Sequence, residues 1–144
     1  MTEQTEVLRY IVGPVCTNCY LLVNHKTGEL LVVDPGDQAQ LIEKQIEKTG
    51  AKPVAILLTH GHFDHAGAAE ALANKYQISI YAHEAERETL EAPGLNLCGM
   101  IGEYKVYHAD ILPVVHILYS APSCQMIKAP GELLSRSYLL YLSM

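Results

Sequence analysis

Val54-Ala55-Ile56-Leu57-Leu58 runs directly into Thr59-His60-Gly61-His62-Phe63-Asp64-His65. Five apolar residues without alternation predict a strand buried on both faces, as in the sheet of a layered α/β protein. The polar segment stands at the end of that strand, where open α/β sheets place their sites. His60, His62, Asp64 and His65 are potential metal ligands within a span of six residues. Residues two apart in extended chain point to one side, so the rings of His60 and His62 can converge. Asp64 and His65 fall where the chain turns toward a helix and can face a second point. Imidazoles with a carboxylate suit Zn²⁺, with Fe or Mn as alternatives. A lone histidine is ordinarily a surface or core residue, but three with an aspartate at this spacing read as a metal site.

Outward from this segment the pattern is regular. Residues 7–12 and 20–23 read as short strands, with Gly13-Pro14 as the turn between them. Asn24-His25-Lys26-Thr27-Gly28 reads as a hairpin loop, followed by a strand over 30–33 that Pro35 and Gly36 stop. Asp37 is expected to cap a helix, with Gln40 completing a capping box. Ile42 and Ile46 share that helix's inner face, and Gly50 ends it. Downstream, residues 66–76 predict a helix with Leu72 and Tyr76 facing inward. A strand over 78–81 and a polar surface helix over 84–90 follow. The expected order is β, β, β, α, β, α, β, α, without an internal repeat.

The 144 residues predict one domain, long enough to bury roughly 70% of its unfolded surface. A net charge of −6 argues against general affinity for nucleic acid or anionic membrane. No apolar run approaches the roughly 18–20 residues that span a bilayer. The N-terminal Met1-Thr2-Glu3-Gln4-Thr5-Glu6 lacks the charged and apolar regions of a signal peptide, so a cytoplasmic protein is expected. Cys16, Cys19, Cys98 and Cys124 are then thiols. Cys16-Thr17-Asn18-Cys19 is a C-x-x-C, but it precedes a strand, whereas a redox motif opens a helix after one.

Thr59-His60-Gly61-His62-Phe63-Asp64-His65-Ala66-Gly67 resembles the metallo-β-lactamase superfamily, whose T-H-x-H-x-D-H-x-G motif it matches at every defined position. Thr17-Asn18-Cys19-Tyr20, Val33-Asp34-Pro35-Gly36 and Tyr81-Ala82-His83-Glu84 resemble segments of its glyoxalase II-like members. The resemblance covers residues 7 to about 104. It implies an αββα sandwich and a metal hydrolase with one or two ions. His60 and His62 would hold the first metal, and Asp64 and His65 the second. The implied nucleophile is a bridging hydroxide, since coordination lowers the pKa of water from 15.7 to about 7. Asp64 would also orient it. Asp34 would steady a ligand, or else serve only as the turn-forming residue before Pro35-Gly36. His83 reads as a packed or surface histidine.

Residues 108–144 do not follow the family. The nearest segment to its H-x-P-G-H pattern is Ile127-Lys128-Ala129-Pro130-Gly131-Glu132, with Lys128 and Glu132 where histidines are expected. A protonated ammonium cannot ligate a metal. Residues 1–107 hold 22 charged side chains, while 108–144 hold only Asp110, Lys128, Glu132 and Arg136. The stretch reads either as a diverged C-terminal half or as the out-of-frame product of a damaged gene, and its composition favours the second. The expectation is a single, incomplete sandwich domain over 1–144, family-like over 1–107. A third ligand for either metal is not evident, although His108, His116, Cys98 or Cys124 are candidates.

The expected function is metal-dependent hydrolysis of a small-molecule thioester such as an S-acylglutathione, weak or absent in this chain. One alternative is a non-catalytic metal-binding or interaction protein on half the sandwich. Another is a dithiol redox protein using Cys16 and Cys19. An exposed sheet edge would invite homo-oligomers.

Overall fold

The chain opens with a hairpin of two eight-residue strands, β1 (Thr5–Val12) and β2 (Thr17–Asn24). The computed structural model describes residues 5–59 and 61–112. The β1–β2 turn uses left-handed backbone at Gly13 and Cys16. β2 turns back into β3 (Glu29–Val33) through the expected polar loop, where the Asn24 side chain accepts from the backbone of Lys26 and Thr27. After β3 come helix α1 (Ala39–Thr49), strand β4 (Lys52–Leu58), helices α2 (Phe63–Ala66) and α3 (Ala69–Tyr76), and strand β5 (Ser79–His83). Helix α4 (Arg87–Glu91) and strand β6 (Asp110–Leu112) follow.

The six strands form one sheet in the order β1-β2-β3-β4-β5-β6. β1, β2 and β3 pair antiparallel; β3 through β6 pair parallel. The helical connections follow from this, because parallel neighbours need a crossover while antiparallel ones need only a tight turn. On one face Leu21, Val23, Leu30, Val32, Ile56 and Leu58 pack in a core with Ile42 and Ile46 of α1 and Leu72 of α3. Leu22, Leu31, Val33, Ala55 and Leu57 alternate onto the other face and are buried as well. The unbroken apolar run of β4 therefore means what it predicts, a central strand buried on both sides. The architecture is mixed α/β, with helices connecting the parallel part of the sheet.

Three local expectations are corrected. Asp37 does not cap α1: its carboxylate accepts from the adjacent Gln38 N–H, and Gln38 takes left-handed backbone at the N-cap with no side-chain cap bond. The helix over 66–76 is broken, because the Ala68 N–H donates to the Pro35 carbonyl at 2.8 Å rather than along a helix. The segment 84–90 is not a surface helix. It is a 3₁₀ turn, Glu84–Glu86, followed by α4, and it buries Glu86 and Leu90 to 3% and 1% exposure.

Candidate metal centre

The centre is built where β3 and β4 end. Asp34 follows β3 with φ 52°, a left-handed conformation that aspartate tolerates better than most residues. Its N–H donates to Leu57 of β4 at 3.0 Å, which ties the two strand ends together. Its carboxylate is buried and accepts from three donors. Thr59 N–H reaches Oδ1 at 2.7 Å, Thr59 Oγ1 reaches Oδ2 at 2.5 Å, and His65 Nδ1 reaches Oδ2 at 2.9 Å.

This arrangement selects the state of His65. A carboxylate at Nδ1 places the proton there and, in the neutral ring, the lone pair on Nε2. Nε2 faces Asp64 Oδ2 at 3.4 Å. Burial disfavours a charged ring, but the hydrogen bond to Asp34 and the charges of Asp34 and Asp64 outweigh it and raise the His65 pKa. Asp64 Oδ2 also accepts from Thr17 Oγ1 at 2.7 Å, across 47 residues of sequence.

Two glycines let the backbone close over the site. A Cβ on Gly36 would lie 1.5 Å from the Asp64 carbonyl oxygen, and one on Gly67 would lie 2.3 Å from the Gly36 carbonyl oxygen. The turn after β3 is thus pressed directly onto the Asp64–Gly67 backbone. A third contact comes from the opposite side. The buried Glu86 carboxylate accepts the Gly61 N–H at 3.1 Å, and Leu90 of α4 fills the space where a Gly61 side chain would be.

Of the sequence-expected ligands, Asp64 and His65 are brought together. His62 is half-buried, and its carbonyl accepts the His65 and Ala66 N–H groups at the start of α2. His60 lies outside the described residues, as do His116, Cys124, Lys128 and Glu132. Among the described residues no three His, Cys, Asp or Glu side chains are gathered to hold a metal ion. The pair that is gathered fits one. Two ligands bonded at about 2.0–2.1 Å to a tetrahedral ion stand roughly 3.4 Å apart, the separation of His65 Nε2 and Asp64 Oδ2. The other candidates serve different ends. His83 accepts the Ala85 N–H, and the Cys98 sulfur contacts the Pro93 and Lys105 carbonyls. His108 lines a separate cavity with Glu70 and Asp110. Cys16 is exposed while Cys19 is fully buried in β2, so the two thiols do not share a redox environment.

Asp64 also lines a cavity of about 340 Å³ with Val12, Pro14, Phe63, Ile101 and Tyr107. Burial, then the neighbouring Cys98 and Glu103, push the Tyr107 phenol up to about 12. It therefore presents a neutral hydroxyl.

The sequence profile of the Metallo-beta-lactamase superfamily matches residues 12–122. The chain belongs to that superfamily. It is 34% identical over 125 residues to the probable metallo-hydrolase YqgX of Bacillus subtilis, covering 87% of this chain and 53% of that protein. It is 39% identical over 71 residues to a hydroxyacylglutathione hydrolase of Cronobacter sakazakii, covering 49% of this chain and 28% of that protein. Among solved structures, the BLEG-1 B3 metallo-beta-lactamase superposes with a TM-score of 0.67 at 36% identity, covering 74% of this chain and 52% of the other. A di-iron-bound form of TTHA1623 superposes at 0.58 with 29% identity, covering 75% of this chain and 55% of the other. The chain spans about half the length of the Bacillus subtilis relative. Among the described residues no helix is long and apolar enough to cross a membrane.

Thr59, Thr17, Gly36, Gly67 and Glu86 were not singled out from sequence as builders of the site. Four of them stand inside the matched motifs, and that position is the signal they carry. Glu86 carries no such signal, since only the fold brings it to Gly61.

Proposed function

We propose that this chain is a metal-dependent hydrolase acting on a small thioester of the S-acylglutathione type. His60, His62, Asp64 and His65 would hold the metal, zinc being the ion best matched to imidazole and carboxylate donors. A bound ion supplies hydroxide at neutral pH and polarises the carbonyl under attack. The chain's own residues do the rest. Asp34 fixes the His65 ring so that Nε2 is presented, and Thr59 fixes Asp34. Asp64 is the catalytic residue, placed to orient the attacking water and take its proton. The cavity beside Asp64 would receive the substrate, with Tyr107 offering a donor at its wall.

The observation that carries the reading is the Asp34–His65–Asp64 line, in which a carboxylate sets one ring nitrogen and the other faces a second carboxylate. The thioester is supported by the hydroxyacylglutathione hydrolase relative. A second reading, metal binding without turnover, is favoured by Lys128 and Glu132 at positions where the resemblance expects histidines. The test is metal content per chain measured beside S-lactoylglutathione hydrolysis, on the parent and His62→Ala. Hydrolysis that needs the metal and is lost in the variant supports the first reading. Bound metal without turnover selects the second.

A further inference from the structure

We propose that Thr17 is a positioning residue for Asp64, its hydroxyl fixing the carboxylate that ligates the metal. The inference rests on the reading of Asp64 as a ligand.

A carboxylate turns easily about its last torsion, which has broad preferences. At Asp64 that freedom is limited by one short bond, because Thr17 Oγ1 donates to Oδ2 at 2.7 Å. A hydrogen bond to an ionised acceptor is about twice as strong as a neutral one. Thr17 suits this task. It is buried to 7% exposure, and threonine's branched β-carbon restricts its first torsion. Its backbone is held as well: Thr17 pairs with Val12 at the first rung of the β1–β2 hairpin. The turn before it is anchored in its turn, since the Gly13 N–H donates to Gln38 Oε1 at 2.9 Å. The donor therefore stands at the fixed end of a sheet strand, while its acceptor sits on the short helix α2. His65 is held by Asp34 and Thr59 in the same manner. Each member of the facing Asp64–His65 pair thus has its own hydroxyl-bearing support, Thr17 for one and Thr59 for the other.

The test uses Co²⁺ titration of the full metal-free chain, read by the visible absorption of the bound ion and by calorimetry. Thr17→Val keeps the shape and removes the donor, and Thr17→Ser keeps the donor. Supports of this kind typically change metal affinity by 10–100-fold. We expect Thr17→Val to bind Co²⁺ about tenfold more weakly with an altered spectrum, and Thr17→Ser to behave as the parent. Thr17→Ala reads the same loss if the valine variant does not fold. A donor-free variant that folds and binds as tightly as the parent overturns the proposal. So does a serine variant as weak as the donor-free ones. Asp64→Ala separates the two levels of the argument. If it also binds as the parent does, the ligand reading fails. If it binds poorly while the folded donor-free variant does not, only the role of Thr17 fails.

Discussion

Asp34 meets three donors with two buried oxygens. Removing that acceptor leaves the Thr59 amide and hydroxyl without it, at about 1–3 kcal/mol for each buried group. Asp34→Ala should therefore lower the stability of the metal-free protein by about 2–5 kcal/mol. It should also weaken metal binding by releasing the His65 ring. Urea unfolding with metal titration checks both, and unchanged values for the two would show that Asp34 is only a turn residue. The thiols give a second prediction at this scale. Burial, and after it the Asp34 charge, push the Cys19 thiol far above its usual range, whereas Cys16 is exposed. The thiolate is the nucleophile. Iodoacetamide on the native chain should modify Cys16 within minutes and spare Cys19 until denaturant is added. Peptide mapping by mass spectrometry reads this, and equal labelling of both would contradict the burial of β2.

At the scale of elements, two tight junctions shape the loop after β4. The turn after β3 presses on it at Gly36, and the 3₁₀ turn before α4 holds it at Gly61. Overpacking costs about 1–3 kcal/mol where neighbours can shift. At Gly36 the neighbour is the Asp64 carbonyl oxygen, 1.5 Å from where a side-chain Cβ would lie. Gly36→Ala should therefore cost at least the top of that range and abolish metal binding. Gly94→Ala, with nothing within 4 Å of its added carbon, is the control and should be silent. Thermal melts of the two variants decide it, and a Gly36→Ala melt matching the control would show that the junction is loose. Much of this layer was legible beforehand. The apolar run of β4, the hairpin loop at Asn24 and the inward Ile42 and Ile46 all follow from periodicity and turn chemistry. The failures share one cause. Asp37, Ala68 and Glu86 each spend a polar group differently from what local pattern suggests: Asp37 on the next amide, Ala68 on Pro35, and Glu86 on Gly61. Two of these partners are remote in sequence, and local spacing carries no record of them. The Asp64–His65 pair was legible because its members adjoin. Of its supports, Asp34 was anticipated through the family resemblance, whereas Thr17 was not, because it arrives from another strand and no local spacing links it to Asp64.

Across the whole molecule the site occupies one end of the sheet. Asp34 follows β3 and Thr59 follows β4, and these strands are parallel. Thr17 begins β2, which runs antiparallel to β3, so its first residue arrives at the same end. Three strands distant in sequence thus meet at one pair of candidate ligands, an arrangement that does not survive unfolding. Metal binding should then act as folding free energy. A ligand bound only by the native state adds about 2.7 kcal/mol at one hundred times its dissociation constant. For a domain of this size that corresponds to a rise in Tm on the order of 5–10 °C. Zn²⁺ should produce this rise in the metal-free chain, and EDTA should reverse it. His62→Ala should show little of it, although its metal-free melt stays near the parent's, because His62 is only half-buried. Differential scanning calorimetry at fixed protein concentration makes the comparison. A parent melt indifferent to Zn²⁺ and EDTA would mean that the strand ends do not close on a metal. An equal rise in His62→Ala would move the ion elsewhere, most directly to thiols such as the exposed Cys16.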